Sequence, residues 1–131
     1  MRTICAAVAA LLLATSSAAA AAAEVWRVAG LSNPESVLFD ATGNVLYVSN
    51  VAGDPTAKDG KGFISRLSTD GKVLALEWAT GLDAPKGLAQ VGDKLYVSDI
   101  DRLVAIDTKT GAIANRYPAD GAKFLNDVAA D

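Results

Sequence analysis

The sequence predicts an all-β fold made of repeated four-stranded antiparallel sheets, and three observations carry that expectation. The tetrapeptide Leu-Tyr-Val-Ser occurs twice, as Leu46-Tyr47-Val48-Ser49 and as Leu95-Tyr96-Val97-Ser98. Its surroundings recur with it: Pro34-Glu35-Ser36-Val37 and Gly43-Asn44 precede the first copy, Pro85-Lys86-Gly87-Leu88 and Gly92-Asp93 the second, and Asn50 or Asp99 follows. From Glu24 onward, short apolar or alternating runs are broken by Gly, Asp, Asn and Pro, the pattern of successive short antiparallel strands. A supersecondary unit written twice marks a repeat architecture.

The N-terminus stands apart. Arg2 supplies a positive start, residues 4–14 form an apolar run, and a Ser/Ala tract ends at Ala21-Ala22-Ala23. This is the layout of a secretory signal peptide, with cleavage after Ala23 or after Ala19. A membrane anchor would need about 20 strongly apolar residues, whereas this tract ends in Ala and Ser. The expected location is periplasmic or secreted, with no membrane attachment after cleavage. Removing residues 1–23 takes away Arg2, the single Cys5 and no acid, leaving 11 basic against 15 acidic residues and a net charge of −4.

Residues 25–29 alternate around Trp26 and read as one strand. Residues 36–39, 45–49, 63–67 and 73–78 read as a first set of four. Turn chemistry separates them, in Asp40-Ala41-Thr42-Gly43-Asn44 and Thr69-Asp70-Gly71-Lys72. Residues 87–90, 94–98, 103–107 and 112–117 read as a second set, and Phe124-Leu125-Asn126-Asp127-Val128 opens a third. Glu35 and Lys86 are 51 residues apart, Lys86 and Asn126 40; a polar segment at residues 51–62 accounts for most of the difference. Four strands in about 40–50 residues is the period of a β-propeller blade. An immunoglobulin-like sandwich would leave the repeated tetrapeptide unexplained. Residues 24–131 thus read as a partial propeller, with blade one at about 30–80, blade two at 81–119 and a third starting at 120–131. Closed propellers use roughly four to eight blades, so ring closure calls for further blades of a longer chain or for other copies of this one.

Composition narrows the chemistry. Without histidine, and without cysteine after signal removal, the chain has no histidine-dependent triad, thiol nucleophile or His/Cys zinc site of its own. A bound metal would be oxygen-ligated, which favours calcium, magnesium or manganese. The mild acidic balance argues against nucleic acid or an anionic membrane as partner. Gly60-Lys61-Gly62 lacks the spacing of a phosphate-binding loop.

The segments Gly30-Leu31-Ser32-Asn33-Pro34-Glu35-Ser36-Val37, Asn44-Val45-Leu46-Tyr47-Val48-Ser49-Asn50, Ala84-Pro85-Lys86-Gly87-Leu88 and Leu125-Asn126-Asp127-Val128 resemble the senescence-marker-protein/gluconolactonase-like family. They also resemble the broader NHL-type repeat propellers, and the likeness covers essentially all of residues 24–131. The resemblance implies a six-bladed propeller, related to the strictosidine synthase and paraoxonase propellers, that holds a divalent cation in its central channel and hydrolyses lactones or esters. On that resemblance Glu35 matches the family's metal-ligating glutamate and Asn126 its substrate-contacting, catalytic asparagine. Phe124 stands where sugar-lactone enzymes often carry an arginine, a departure that counts against a sugar-acid lactone as substrate.

The repeat itself makes Glu35, Lys86 and Asn126 equivalent positions at the starts of first strands, which line a propeller's channel. A hard cation would satisfy the oxygens of Glu35 and Asn126; equally, Glu35 and Lys86 can pair as a structural ion pair. Asn126 can bond its local backbone instead, and Asp127 reads as a hydrogen-bonding group at strand entry. Asn50 and Asp99 end equivalent strands and read as channel-mouth residues or as turn caps. Residues 51–62, with Asp54, Lys58, Asp59 and Lys61, should lie near the channel mouth as a rim or as a solvated excursion. Tyr47, Tyr96, Trp78 and Phe63 read as packing between blades. The functional expectation is a divalent-metal-dependent lactone or ester hydrolase. Its alternative is a non-catalytic NHL-like propeller that binds a protein or small ligand on its top face.

Overall fold

In a computed structural model describing residues 22–131, the chain forms eight strands. The signal-peptide expectation lies, but for Ala22 and Ala23, outside the described residues. In order the strands are β1 (Pro34–Asp40), β2 (Val45–Asn50), β3 (Gly62–Ser68), β4 (Val73–Leu82), β5 (Pro85–Val91), β6 (Lys94–Asp99), β7 (Arg102–Asp107) and β8 (Ile113–Pro118). They make two four-stranded antiparallel sheets, ordered β1-β2-β3-β4 and β5-β6-β7-β8. Among the described residues there is no helix.

The hairpins close where the sequence places its turn residues. Asp40 accepts the amides of Thr42 and Gly43 at 2.9 and 3.0 Å, and Asn44 takes the left-handed backbone (φ 51°) that its short side chain tolerates. Asp107 does the same for Lys109 and Thr110, both at 3.0 Å.

The tetrapeptide has a shared structural task in both sheets. Pairing of β1 with β2 shifts between Pro34 and Val37, and pairing of β5 with β6 shifts between Pro85 and Leu88. Such a bulge leaves a first-strand amide outside the ladder. Ser49 Oγ accepts the amide of Ser36 at 3.0 Å, and Ser98 Oγ accepts that of Gly87 at 2.9 Å. The following residue then ties down the chain just before the first strand. Asn50 Oδ1 accepts the amide of Ser32 at 2.9 Å, while Asp99 accepts those of Asp83 and Ala84 at 3.1 and 2.8 Å. Buried backbone donors are thereby satisfied without a ladder partner.

The sheets stack face to face, and their backbones approach most closely at β1 and β5. Leu38, Val45, Tyr47, Ile64, Trp78, Ala79 and Leu82 of the first sheet meet Leu88, Leu95, Val97, Val104, Ile106 and Ile113 of the second. Side chains alternate along a strand, so the two copies of the tetrapeptide face opposite ways. In β2, Tyr47 points at the second sheet, its ring 4.8 Å from that of Trp78, while Leu46 and Val48 point away. In β6, Leu95 and Val97 point at the first sheet and Tyr96 lies on the far, open face. The expectation that Tyr47 and Trp78 pack between sheets is met; Phe63 is buried, and Tyr96 is half-buried on a face no sheet covers.

Residues 25–29 form no strand, contrary to the sequence reading. Their backbone pairs with neither edge strand of the first sheet, and alternation alone names no partner. Trp26, Val28 and Leu31 instead border a cavity over the open face of the first sheet with Val37, Leu46, Val48 and Leu67. The strand expected at residues 124–128 does not form either: with no partner strand beyond it, Leu125 alone makes an isolated bridge with Ile100, and residues 128–131 border the open face of the second sheet.

Candidate functional site

Glu35 and Lys86 occupy the second positions of β1 and β5, the two neighbouring first strands, and the chain around Asn126 runs beside Lys86 and Gly87. The carbonyl of Asn126 accepts the amide of Gly87 at 2.8 Å and the hydroxyl of Ser98 at 2.6 Å. This approach needs a glycine: a Cβ at Gly87 would fall 2.7 Å from the Asn126 carbonyl oxygen and 2.8 Å from Asp127 Cα. Glu35 and Lys86 therefore lie at one end of neighbouring strands, and the backbone of Asn126, which is on no strand, runs beside that end. Their side chains are not alike in environment.

Lys86 is 2% exposed, although its residue type is almost never fully buried unless paired. Its ammonium donates to the carbonyls of Ala84 at 3.0 Å and Pro55 at 3.1 Å, and lies 4.4 Å from the centroid of the Phe124 ring. Two carbonyl dipoles and a π face replace the lost water. Burial lowers the ammonium below the ordinary lysine value, and the negative charges of Asp99 and Glu35 oppose that shift. Glu35 is exposed; its carboxylate accepts the Ser36 hydroxyl at 2.6 Å and makes no ion pair among the described residues. Asn126 and Asp127 are exposed, and among the described residues neither side chain makes a hydrogen bond.

The segment between β2 and β3 reaches over this end of the sheets. Pro55 supplies its carbonyl to Lys86, Lys58 pairs with Asp101, and Gly60 and Gly62 donate their amides to Asp83 Oδ1 and O at 3.0 and 3.1 Å. Val51 packs with Ala84 and Ile100 beneath it. Asp54 accepts the amide of Thr56 at 2.7 Å and its hydroxyl at 2.6 Å, bonds that lower the Asp54 carboxyl. The segment expected near the first-strand starts, as a rim or as a solvated excursion, is tied to Lys86, Asp101 and Asp83.

One cluster escaped the sequence reading. Arg102 Nη2 reaches Asp83 at 2.6 Å and Asp99 at 2.9 Å, with Nε a further 3.2 Å from Asp99. Burial alone would lower the guanidinium, but the hydrogen bonds and charge of Asp99, with Asp83 and Asp101, outweigh it and raise it. Asp99, fully buried, spends its oxygens on this guanidinium and on two amides. Asn50, also fully buried, spends its amide on the Val48 carbonyl and the Ser65 hydroxyl. Of its members the sequence singled out Asp99 alone, at the end of the repeated strand; Asp83 and Arg102 carried no repeat signal.

Among the described residues no three Asp or Glu converge as a ready metal cage. A cation held at this end of the sheets by the Glu35 carboxylate and the Asn126 amide would have a fraction of the six to eight oxygens calcium takes. The ammonium of Lys86 adds like charge nearby. No protein-family model matches the chain, and no curated protein sequence matches it.

Proposed function

We propose that the two sheets are adjacent blades of an exported, gluconolactonase-like six-bladed propeller, whose channel end takes a lactone or ester and hydrolyses it with a divalent cation. The observation that carries this reading is the side-by-side placement of β1 and β5, with Glu35, Lys86 and the Asn126 chain at one end. The stacked four-stranded sheets and the bulged first strands support the propeller reading as well. Glu35 would be a metal ligand and Asn126 a contact to metal or substrate. The cation, when bound, would polarise the carbonyl and acidify a water. Residues beyond these two would have to complete the coordination shell, from further blades of the same protein or from other copies.

This chain's own groups would shape the site around the reacting carbonyl. The segment at residues 51–61 would wall one side, and Phe124 would give an apolar surface to the acyl portion. Lys86 would act at a distance, since its donors are held by Ala84, Pro55 and the Phe124 ring. Its charge would favour a developing oxyanion or a carboxylate product.

A second reading, a non-catalytic propeller binding a protein or small anionic ligand on the same face, draws support from Lys86, because a buried ammonium repels a dication. Calorimetric titration of the closed ring, formed by further blades or by assembled copies, with calcium and with manganese decides between them. Saturable binding that Glu35→Ala abolishes is the expected result. Absence of binding, or binding untouched by Glu35→Ala, removes Glu35 as a ligand and leaves the second reading.

A further inference from the structure

Three aromatic residues precede, by four, three and four residues, a glycine that leads into the next unit. Trp26 precedes Gly30-Leu31-Ser32-Asn33-Pro34, Trp78 precedes Gly81-Leu82-Asp83-Ala84-Pro85, and Tyr117 precedes Gly121-Ala122-Lys123-Phe124-Leu125. Each of the three glycines adopts the left-handed backbone, at φ 85°, 79° and 81°. Two of the aromatics make the same contact. A Cβ at Gly71, in the turn between β3 and β4, would lie 2.8 Å from the Trp26 ring. A Cβ at Gly111, in the equivalent turn between β7 and β8, would lie 2.6 Å from the Trp78 carbonyl and 3.1 Å from its ring. Each aromatic thus sits on the glycine turn of the sheet after it. The third, Tyr117, pairs with Leu103, shares its open face and is 44% exposed, with no glycine turn beneath it.

The two open faces are the halves of the interface already formed inside the molecule. By register, Val37, Leu46, Val48 and Leu67 on the open face of the first sheet correspond to Leu88, Leu95, Val97 and Ile106, which the second sheet packs against the first. Ala89, Tyr96 and Leu103 on the open face of the second sheet correspond to Leu38, Tyr47 and Ile64, the opposing half. Val37 is 65% exposed and Phe39 beside it 55%.

We propose that a second copy of this chain docks its first sheet on the open face of the second sheet, Tyr117 seating on that copy's Gly71 turn in place of its own Trp26. The contact is head-to-tail, so it propagates into a ring or a filament. Two segments flanking the sheets hold it in check. Trp26 already covers Gly71, and residues 128–131 lie along Ala89, Val91, Tyr96 and Leu103, where the incoming first strand must go. Both give way when copies join.

Sedimentation of the folded chain over a concentration series tests this. Loss of the competing ring in Trp26→Ala should tighten self-association about tenfold, and adding Tyr117→Ala should return it to the wild-type level. A Trp26→Ala variant that associates no more tightly than wild type overturns the proposal, as does association that Tyr117→Ala leaves unchanged. Should Trp26→Ala fail to fold, Trp78→Phe leaves Trp26 as the only tryptophan. Its emission should then shift to the red as the protein is concentrated and the ring leaves Gly71. Emission independent of concentration, up to the range where wild-type copies associate, counts against the exchange.

Discussion

In the first sheet Asn50 follows the shared tetrapeptide and eleven residues separate β2 from β3; in the second Asp99 follows it and two residues separate β6 from β7. Both side chains are fully buried, and both accept amides from the chain entering a first strand. What differs is the neighbour. Asn50 faces a carbonyl and a hydroxyl, so an amide that donates as well as accepts meets every partner. Asp99 faces the Arg102 guanidinium, so a carboxylate is neutralised where an amide would leave a cation poorly paired. The short turn that brings Arg102 beside Asp99 places Ile100 at φ 57°, a strained backbone for a β-branched residue, costing about 1–3 kcal/mol. The long connection in the first sheet has room to reach Lys86 instead. One repeat therefore yields two different ends, in which the length of the connection and the residues at the strand ends beside it differ together.

The comparison is broken most strongly at the tetrapeptide's tyrosine. Tyr47 is 1% exposed between the sheets, so Tyr47→Ala should cost about 3–5 kcal/mol in urea unfolding. Tyr96→Ala, on the open face, should cost about 1 kcal/mol or less. Equal losses would mean that the two copies are packed alike. Exchanging the residues after the tetrapeptide should cost less and unequally. Asn50→Asp buries a carboxylate where the amide now donates to the Val48 carbonyl, a loss of about 2–4 kcal/mol. Asp99→Asn keeps acceptors for the two amides but weakens the Arg102 pair, about 1–2 kcal/mol. The reverse order would contradict the assignment of neighbours given above.

The smallest effect lies at Lys86. Its pKa in the folded chain is below the ordinary lysine value, so between the two the unfolded chain holds more protons. Stability should accordingly rise with pH across that alkaline window and be lowest below it. Urea midpoints from about pH 8 to 10.5 should show a slope that Lys86→Met removes, a change of about 1 kcal/mol or less. A slope that survives in Lys86→Met belongs to another group.

All eight strands were legible because alternation and glycine or asparagine turns are local signals that the tertiary structure had no reason to override. Residues 25–29 carry the same alternation and form no strand, since a ladder needs a neighbour and periodicity names none. The positions of Glu35, Lys86 and Asn126 followed from the repeat. The burial of Lys86 did not, because its shelter comes from the carbonyl of Pro55, 31 residues earlier, and from an aromatic ring 38 residues later. The Arg102 cluster escaped for the same reason: Asp83 and Arg102 meet only once β5 and β6 have folded back between them.

The hydroxyls of Ser49 and Ser98 each close a bulge using an amide from their own sheet. A fastener that is local in this sense is inherited whole when the stretch of gene encoding it is copied in tandem. Each new unit arrives with its entry already secured, so the array can lengthen before any other part has adapted. Divergence is then left to the connecting segments, where residues 51–61 and the pair Ile100-Asp101 already differ.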